Sequence, residues 1–367
     1  MLLRVSVAAT VFGRRSLRWS VPVLAAAVAG VIGTGVLSAK ADSELPTVSV
    51  EQLLAAVEQT HVAGFSGTVV ENAALGLPQL PDLGGTSPST SLTSLLAGSH
   101  TMRVWYAGPT KQRVALLATV GETDIFRDGT SLWQWDSQSH TATHTTLPAD
   151  SDQNAAPSTP STLTPQQLAQ RALDAIDPTT SVTMGANRSV AGRAAYQLVL
   201  APKDQSSRIG SVRIAVDGKK KVPIGVQVFA RDDTAKPALD VSFSSINFAT
   251  PEDSNFAFTP PKSAIVKQGE LVPDKAGSGD RVGQAQAVDR NSRTIGTGWT
   301  SVLLVQDAAS VTNSQPVQAF LTPVSGAWGS GHLFSSKLLT ALITDDGRVF
   351  AGAVDPDVLY ADAAAYK

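Results

Sequence analysis

The 367-residue chain contains no cysteine. That absence excludes disulfides, thiol nucleophiles and thiolate-held zinc or iron–sulfur sites, and it excludes the acylated cysteine that would make the chain itself a lipoprotein. Packing alone must hold the fold. Common catalytic and nucleotide-binding signatures are also missing: there is no G-x-S-x-G, S-x-x-K, H-E-x-x-H, phosphate-binding G-x-x-x-x-G-K-[ST] or G-x-G-x-x-G. An enzyme reading has no anchor, and no cofactor is expected. Charged residues are scarce, 16% against 43% hydrophobic, so most of the chain can bury a core and is neither disordered nor a multi-span membrane protein. Of the five histidines, only His140 and His144 are close in sequence. On a predicted strand they share one face but stand ~13 Å apart, too far to hold one ion, and they read as exposed. The carboxylate pairs Asp232-Asp233 and Asp345-Asp346 fall in predicted turns, where hydrogen bonds to backbone account for them.

Acids are absent from residues 1–41, which carry Arg4, Arg14, Arg15, Arg18 and Lys40. Removing those five bases from the 29 leaves 24 against 31 acids, so the rest of the chain carries −7 and a nucleic-acid-binding surface is not expected. Three arginines precede the uncharged stretch 21–37, and Ala39-Lys40-Ala41 follows it. This is the n-region, h-region and A-x-A order of an export signal, so the body is expected outside the cytoplasm. Seventeen residues at ~1.5 Å each reach about 25 Å, which leaves a cleaved signal and an N-terminal membrane anchor both open. Arg14-Arg15 also permits a twin-arginine signal.

Ser49-Val-Glu-Gln52 is a capping-box start for a helix with Val50, Leu53, Leu54 and Val57 on one face, ending near Gly64. A strand over 65–71 follows, then a leucine-rich insertion at 72–99 read as a lid or sheet-edge cover, with a short helix around 91–96. Strand runs and turn signals alternate from Thr101 to Leu147, with turns at 107–110, 127–130 and 136–139. After a Pro, Ser and Thr-rich linker at 148–164, Thr164-Pro165-Gln-Gln167 starts a second helix ending before Asp177-Pro178. Strands are expected at 181–190, 194–201, 209–216, 222–231 and 239–248, with Ala191-Gly192 and Asp217-Gly218 as turns. Residues 262–293 lack apolar periodicity and read as a linker. A smaller β domain follows, with strands at 300–305 and 317–321, a hairpin at 339–354 and a terminal helix after Asp355-Pro356.

Apolar side chains repeat at strand parity: Trp133 with Trp135, Val212 with Ile214 and Val216, and Val222 with Ile224, Val226 and Val228. In 241–248 the parity flips between Phe243 and Ile246, which a β-bulge at Ser244-Ser245 would restore. Such faces build either a dry core or a ligand cavity. The indole N–H groups of Trp133 and Trp135 need partners, which places these two at a pocket rim.

Three strings resemble the exported lipoprotein-carrier family LolA and its regulatory relative RseB (MucB): Asp128-Gly-Thr-Ser-Leu-Trp-Gln-Trp135-Asp136, Ala195-Tyr-Gln-Leu-Val-Leu-Ala-Pro-Lys203 and Phe256-Ala-Phe-Thr-Pro-Pro-Lys262. Phe65-Ser-Gly-Thr68 and Arg113-Val114 look more like RseB. The resemblance covers about 47–267 and implies a mainly β (α+β) fold: a curved antiparallel sheet forming an incomplete β-barrel, lined with apolar side chains and covered by helices. It implies binding of lipid or lipoprotein acyl chains at the membrane surface. The alternative it implies is an envelope sensor that binds a membrane protein such as an anti-sigma factor, and a scaffold with a filled hollow is a third reading. The resulting organisation is an export signal or anchor at 1–41, a half-barrel at 42–267, a linker at 268–293 and a small β domain at 294–367. Candidate lining residues are Phe65, Val69, Trp133, Trp135, Val199, Phe256 and Phe258. Trp328, between Gly326 and Gly329, is the candidate partner-binding residue, its other reading being core of the small domain.

Overall fold

The structure, a computed structural model, describes residues 45–76, 97–118, 120–148, 164–269, 292–306 and 321–366. The expected signal, residues 77–96 of the leucine-rich stretch with its 91–96 helix, most of the 148–164 and 262–293 linkers and most of the 317–321 strand lie outside the described residues, while the two ends of the leucine-rich stretch extend the flanking strands. Among those described, no helix is long and apolar enough to cross a membrane.

The expected capping box forms at Ser49, and the second helix start carries one as well. In α1 (Val50–Gln59) the Ser49 hydroxyl accepts from the Gln52 N–H while the Gln52 side chain accepts from the Ser49 N–H; in α2 (Pro165–Asp174) Thr164 and Gln167 do the same. Each satisfies two otherwise orphaned N–H groups and fixes where the helix starts. α1 stops at Thr60, short of Gly64.

Between the helices run β1 (Phe65–Ala74), β2 (Ala97–Tyr106), β3 (Lys111–Leu117), β4 (Glu122–Asp128), β5 (Ser131–Asp136) and β6 (Thr141–Thr146). After α2 come β7 (Thr180–Val190), β8 (Arg193–Pro202), β9 (Ile209–Asp217), β10 (Pro223–Ala230), β11 (Leu239–Asn247) and β12 (Ile265–Gln268). They form one curved sheet in the order β12-β6-β5-β4-β3-β2-β1-β11-β10-β9-β8-β7, whose two ends do not meet. Two antiparallel meanders are joined where β1 pairs with β11. The Ala191-Gly192 turn has both residues at positive φ, 53° and 70°, as a two-residue hairpin turn requires.

The bulge expected in β11 is present: Ser245 pairs with Thr68 and Phe243 with Val69, leaving Ser244 as the extra residue. Gly67 lies beside it, where an added Cβ would stand 2.4 Å from the Ser245 carbonyl oxygen and 2.9 Å from the Phe243 ring. A second register shift, between Pro223 and Gly225 against β9, interrupts the alternation expected to run unbroken from Val222 to Val228. The reading of 262–269 as linker is corrected: β12 pairs in parallel with β6, Ile265 opposite Thr141. An exposed edge strand of four residues has no buried face to impose a pattern on its sequence.

The second sheet, order β13-β14-β18-β17-β16-β15, comprises β13 (Ser292–Ile295), β14 (Val302–Val305), β15 (Leu321–Gly326), β16 (Gly329–Ser335), β17 (Thr340–Thr344) and β18 (Val349–Gly352). α3 (Pro356–Ala365) covers one side, and Leu359 and Ala363 pack with Val302, Leu304, Leu342, Phe350 and Trp328. Trp328 is buried and stacks on Tyr360, ring centroids 5.6 Å apart at 9°.

The two sheets are bolted together. Ser207 bridges Val354, the Arg208 N–H donates to the Ala353 carbonyl (2.8 Å), and Arg231 makes a fork onto Asp355 (2.7 and 3.1 Å). Lys337 reaches Asp233 (2.9 Å), and the indole of Trp299 packs against the first sheet's core and donates to Thr180 Oγ1 (2.8 Å). The acid pairs therefore do more than close their turns: Asp232 and Asp233 hold Arg231 and Lys337, Asp345 accepts from Ser330, and Asp346 holds Arg348. Asp355→Ala removes the acceptor at the centre of this joint. The pair is partly exposed, so the expected loss is about 1 kcal/mol, read as faster amide exchange at Arg208 with the melting of the large sheet little changed.

Candidate ligand-binding face

Residues directly opposite in a ladder share a face of the sheet. Val69 lies opposite both Met102 and Phe243; Val241, two residues from Phe243, lies opposite Val226; and Val226 lies opposite Ile214, itself opposite Leu198. One face is therefore apolar from β2 through β8. From Met102 and Val104 it continues onto Leu116 and Val114 of β3, and from Val114 onto Ile125 of β4. The helices sit on this face: Leu53 and Val57 of α1 and Ala169 of α2 join Leu198, Ile214 and Val226 in one buried cluster. The helices pack over β8, β9 and β10, and Leu168 of α2 also reaches the cluster of Phe65, Val69 and Met102.

The candidate residues separate onto two faces. Phe65 and Val69, both fully buried, lie on the helix-covered face, Phe65 against Tyr106 (5.4 Å) and edge-on to Phe243 (6.1 Å). Trp133 lies opposite Phe126, which lies opposite Arg113, which lies opposite Trp105, and Trp105 has the opposite parity to Val104 and Tyr106. Trp133 and Trp135 thus share a face, as expected, but it is the other face. There Phe258 stacks on Phe126 (4.6 Å) and contacts both tryptophans, while Arg113 lies over the Trp105 and Phe126 rings and pairs with Asp124 (2.9 Å). The 253–264 segment straps this cluster down, held by Lys111–Asp253 (2.7 Å) and the Ile265 N–H to the His140 carbonyl (2.8 Å). Phe256 is buried at the start of the strap, and Val199, next to inward-facing Leu198, also points to the strap side of the sheet. Phe65 and Val69 therefore do not share a face with Trp133, Trp135, Val199 and Phe258; parity within each strand carries no information about which side the helices take.

The histidine pair separates too. His140 sits in the turn before β6 with φ 48°, not on the strand, and meets Trp135 edge-on (6.0 Å). His144 is half-buried rather than exposed, stacked on Trp133 (4.4 Å) with Nε2 at 2.9 Å from Ser131 Oγ.

One polar pair on the helix-covered face had an unread signal in the sequence. Glu71 shares the parity of Phe65 and Val69 and lies opposite His100. The Glu71 carboxylate is 11% exposed, its Oε2 is buried without a hydrogen-bond partner, and it stands 4.0 Å from His100 Nδ1. Burial pushes the Glu71 carboxyl up to about 7 and the His100 imidazole down. The neighbouring β2 and β3 positions Met102, Val104, Val114 and Leu116 were legible as alternating apolar residues, though not as one surface shared with β8 and β9.

No family model and no curated protein sequence matches the chain. Solved structures do. The MucA/MucB complex of Pseudomonas aeruginosa gives a TM-score of 0.41 at 14% identity, over 85% of this chain and 94% of that one. An uncharacterized conserved protein from Thermus thermophilus gives 0.33 at 11% over 60% and 98%. A LolA superfamily protein of Nitrosomonas europaea gives 0.22 at 13% over 58% and 99%. The chain is thus similar in structure, at low sequence identity, to MucB and to LolA-superfamily proteins.

Proposed function

We propose that the helix-covered face binds acyl chains of lipids or lipoproteins outside the cytoplasm, in the manner of a carrier and without catalysis. One observation carries this reading: an unclosed sheet has an apolar face continuous from β4 to β8, buried at Met102 and Val104 of β2, with the described helices packed over its β8, β9 and β10 rows. Each methylene buried is worth ~0.8 kcal/mol, so a sixteen-carbon chain gains about 12 kcal/mol before the ordering costs of ligand and protein. Shape and apolarity suffice for that, and no reacting group is needed. In this reading the 42–267 half-barrel is the binding body, the export segment delivers it, and the small β domain faces any membrane partner.

The test is a titration with a fluorescent sixteen-carbon fatty acid. Leu116 is half-buried on the face, so Leu116→Arg places a charge there with tolerable cost to the fold. Saturable binding by the wild type, weakened at least tenfold in Leu116→Arg, is the expected result. Failure of the wild type to bind removes the carrier reading and leaves the sensor or scaffold. Trp105, Trp133 and Trp135 lie on the opposite face, so their emission is a poor reporter of this event.

A further inference from the structure

The row of the helix-covered face that ends at Tyr106 runs through Gln112 of β3 and Arg127 of β4 to Leu132 of β5. Arg127 is only 4% exposed. Among the described residues its one hydrogen bond is a long one, from Nε to the Gly129 carbonyl (3.3 Å), and Nη1 is buried with no partner. It takes part in no ion pair among the described residues, unlike Arg113 on the adjacent strand, whose guanidinium lies on Asp124. Its neighbours on this face are mainly apolar: Leu132 opposite, and Val114 and Ile125 one row along. Gln112, opposite on the other side, spends its amide N–H on the Pro109 carbonyl (2.8 Å).

A guanidinium cannot shed its proton near neutral pH, so a buried one must find an acceptor or bear the full desolvation cost. An arrangement that leaves Nη1 unpaired among buried apolar side chains is satisfied by an oxyanion arriving on an apolar stem. We infer that Arg127 receives the anionic oxygen headgroup, carboxylate or phosphate, of the acyl ligand whose chain lies along Val104, Val114 and Met102. This rests on the acyl-binding reading and adds its polarity: the headgroup sits at the Tyr106 end. The Glu71–His100 pair marks the other end, six residues along β2 from Tyr106, or ~20 Å of extended strand. Glu71 Oε2 is buried there with no donor among the described residues, a setting that disfavours a second acidic group and gives the ligand one orientation.

The experiment uses the full chain and isothermal titration with four probes: palmitate, hexadecyl phosphate, hexadecanol and inorganic phosphate. The wild type is expected to bind at least one of the two anionic amphiphiles roughly tenfold or more tighter than hexadecanol, and inorganic phosphate far more weakly. Which of the two is tighter identifies the headgroup. Arg127→Gln should bring the anionic probes down to the hexadecanol level, leave hexadecanol itself unchanged and not lower the melting temperature. Arg127→Lys, which keeps a point charge without the fork, should retain part of the preference and serves as the deciding variant if the glutamine variant does not fold. Equal binding of anionic and neutral probes by the wild type overturns the inference while leaving the acyl-binding reading intact. A preference that survives Arg127→Gln also overturns it. Inorganic phosphate binding as tightly as hexadecyl phosphate replaces it with a free-anion site. Absence of binding by all four removes the acyl-binding reading together with this one.

Discussion

Trp328→Ala is expected to cost ~3–5 kcal/mol and to unfold the six-stranded sheet. Flanking glycines make this tryptophan look like an interface anchor, but its ring lies flat on Tyr360 within a core that includes Leu342, Phe350, Leu359 and Ala363. A sheet of short strands with one helix over it has few other large side chains to bury, so losing this one removes a large share of its stabilisation. Thermal unfolding followed by circular dichroism should show an early transition, with the large sheet's transition retained. A variant that melts like the wild type would return Trp328 to the role of a surface anchor.

Glu71→Gln is expected to stabilise the protein at pH 8 and to change little at pH 4.5. The sign follows from the direction of the shift. Burial raises the folded carboxyl to about 7 from an ordinary value near 4.5. The folded state therefore holds a proton that the unfolded chain has already released between those values, and stability falls as pH rises through this window and levels off above about 7. A rise from near 4.5 to about 7 corresponds to an upper bound of about 3 kcal/mol. Glutamine keeps the shape and has no charge to desolvate, so its stability should be nearly flat across the same window. Denaturant midpoints at pH 4.5, 6 and 8 measure the difference. Parallel pH profiles for the two proteins would show that Glu71 ionises freely.

Local elements were readable where one residue decides the backbone. The two helix starts, the Ala191-Gly192 turn and the bulge at Ser244 each rest on chemistry confined to a few neighbours, and each forms where the residues put it. Elements whose partners are distant were not. β12 is four exposed residues that pair with a strand more than a hundred positions earlier, and β16 is rich in glycine with most of its side chains in solvent. The candidate site shows the same division. Alternation identified Trp133 with Trp135 and Val212 with Ile214 and Val216 as sharing a face, because period-two geometry is intrinsic to a strand. Which set faces the helices depends on register across the ladders between them, and a slip of one residue in any of those ladders would exchange the faces. Glu71 and Arg127 went unread for the same reason. A charged residue at apolar parity is informative only once that parity is known to point under the helices.

The central claim is that acyl chains lie on the helix-covered face and not against the strap. Photo-crosslinking tests it most directly: the full chain is loaded with a palmitoyl lipid carrying a diazirine midway along the chain, irradiated, digested and mapped by mass spectrometry. Adducts on β2 and β3 at Met102, Val104, Val114 or Leu116, competed by unlabelled lipid, are the result predicted here. Adducts confined to Trp133, Trp135 and Phe258, or labelling that unlabelled lipid does not reduce, would contradict it.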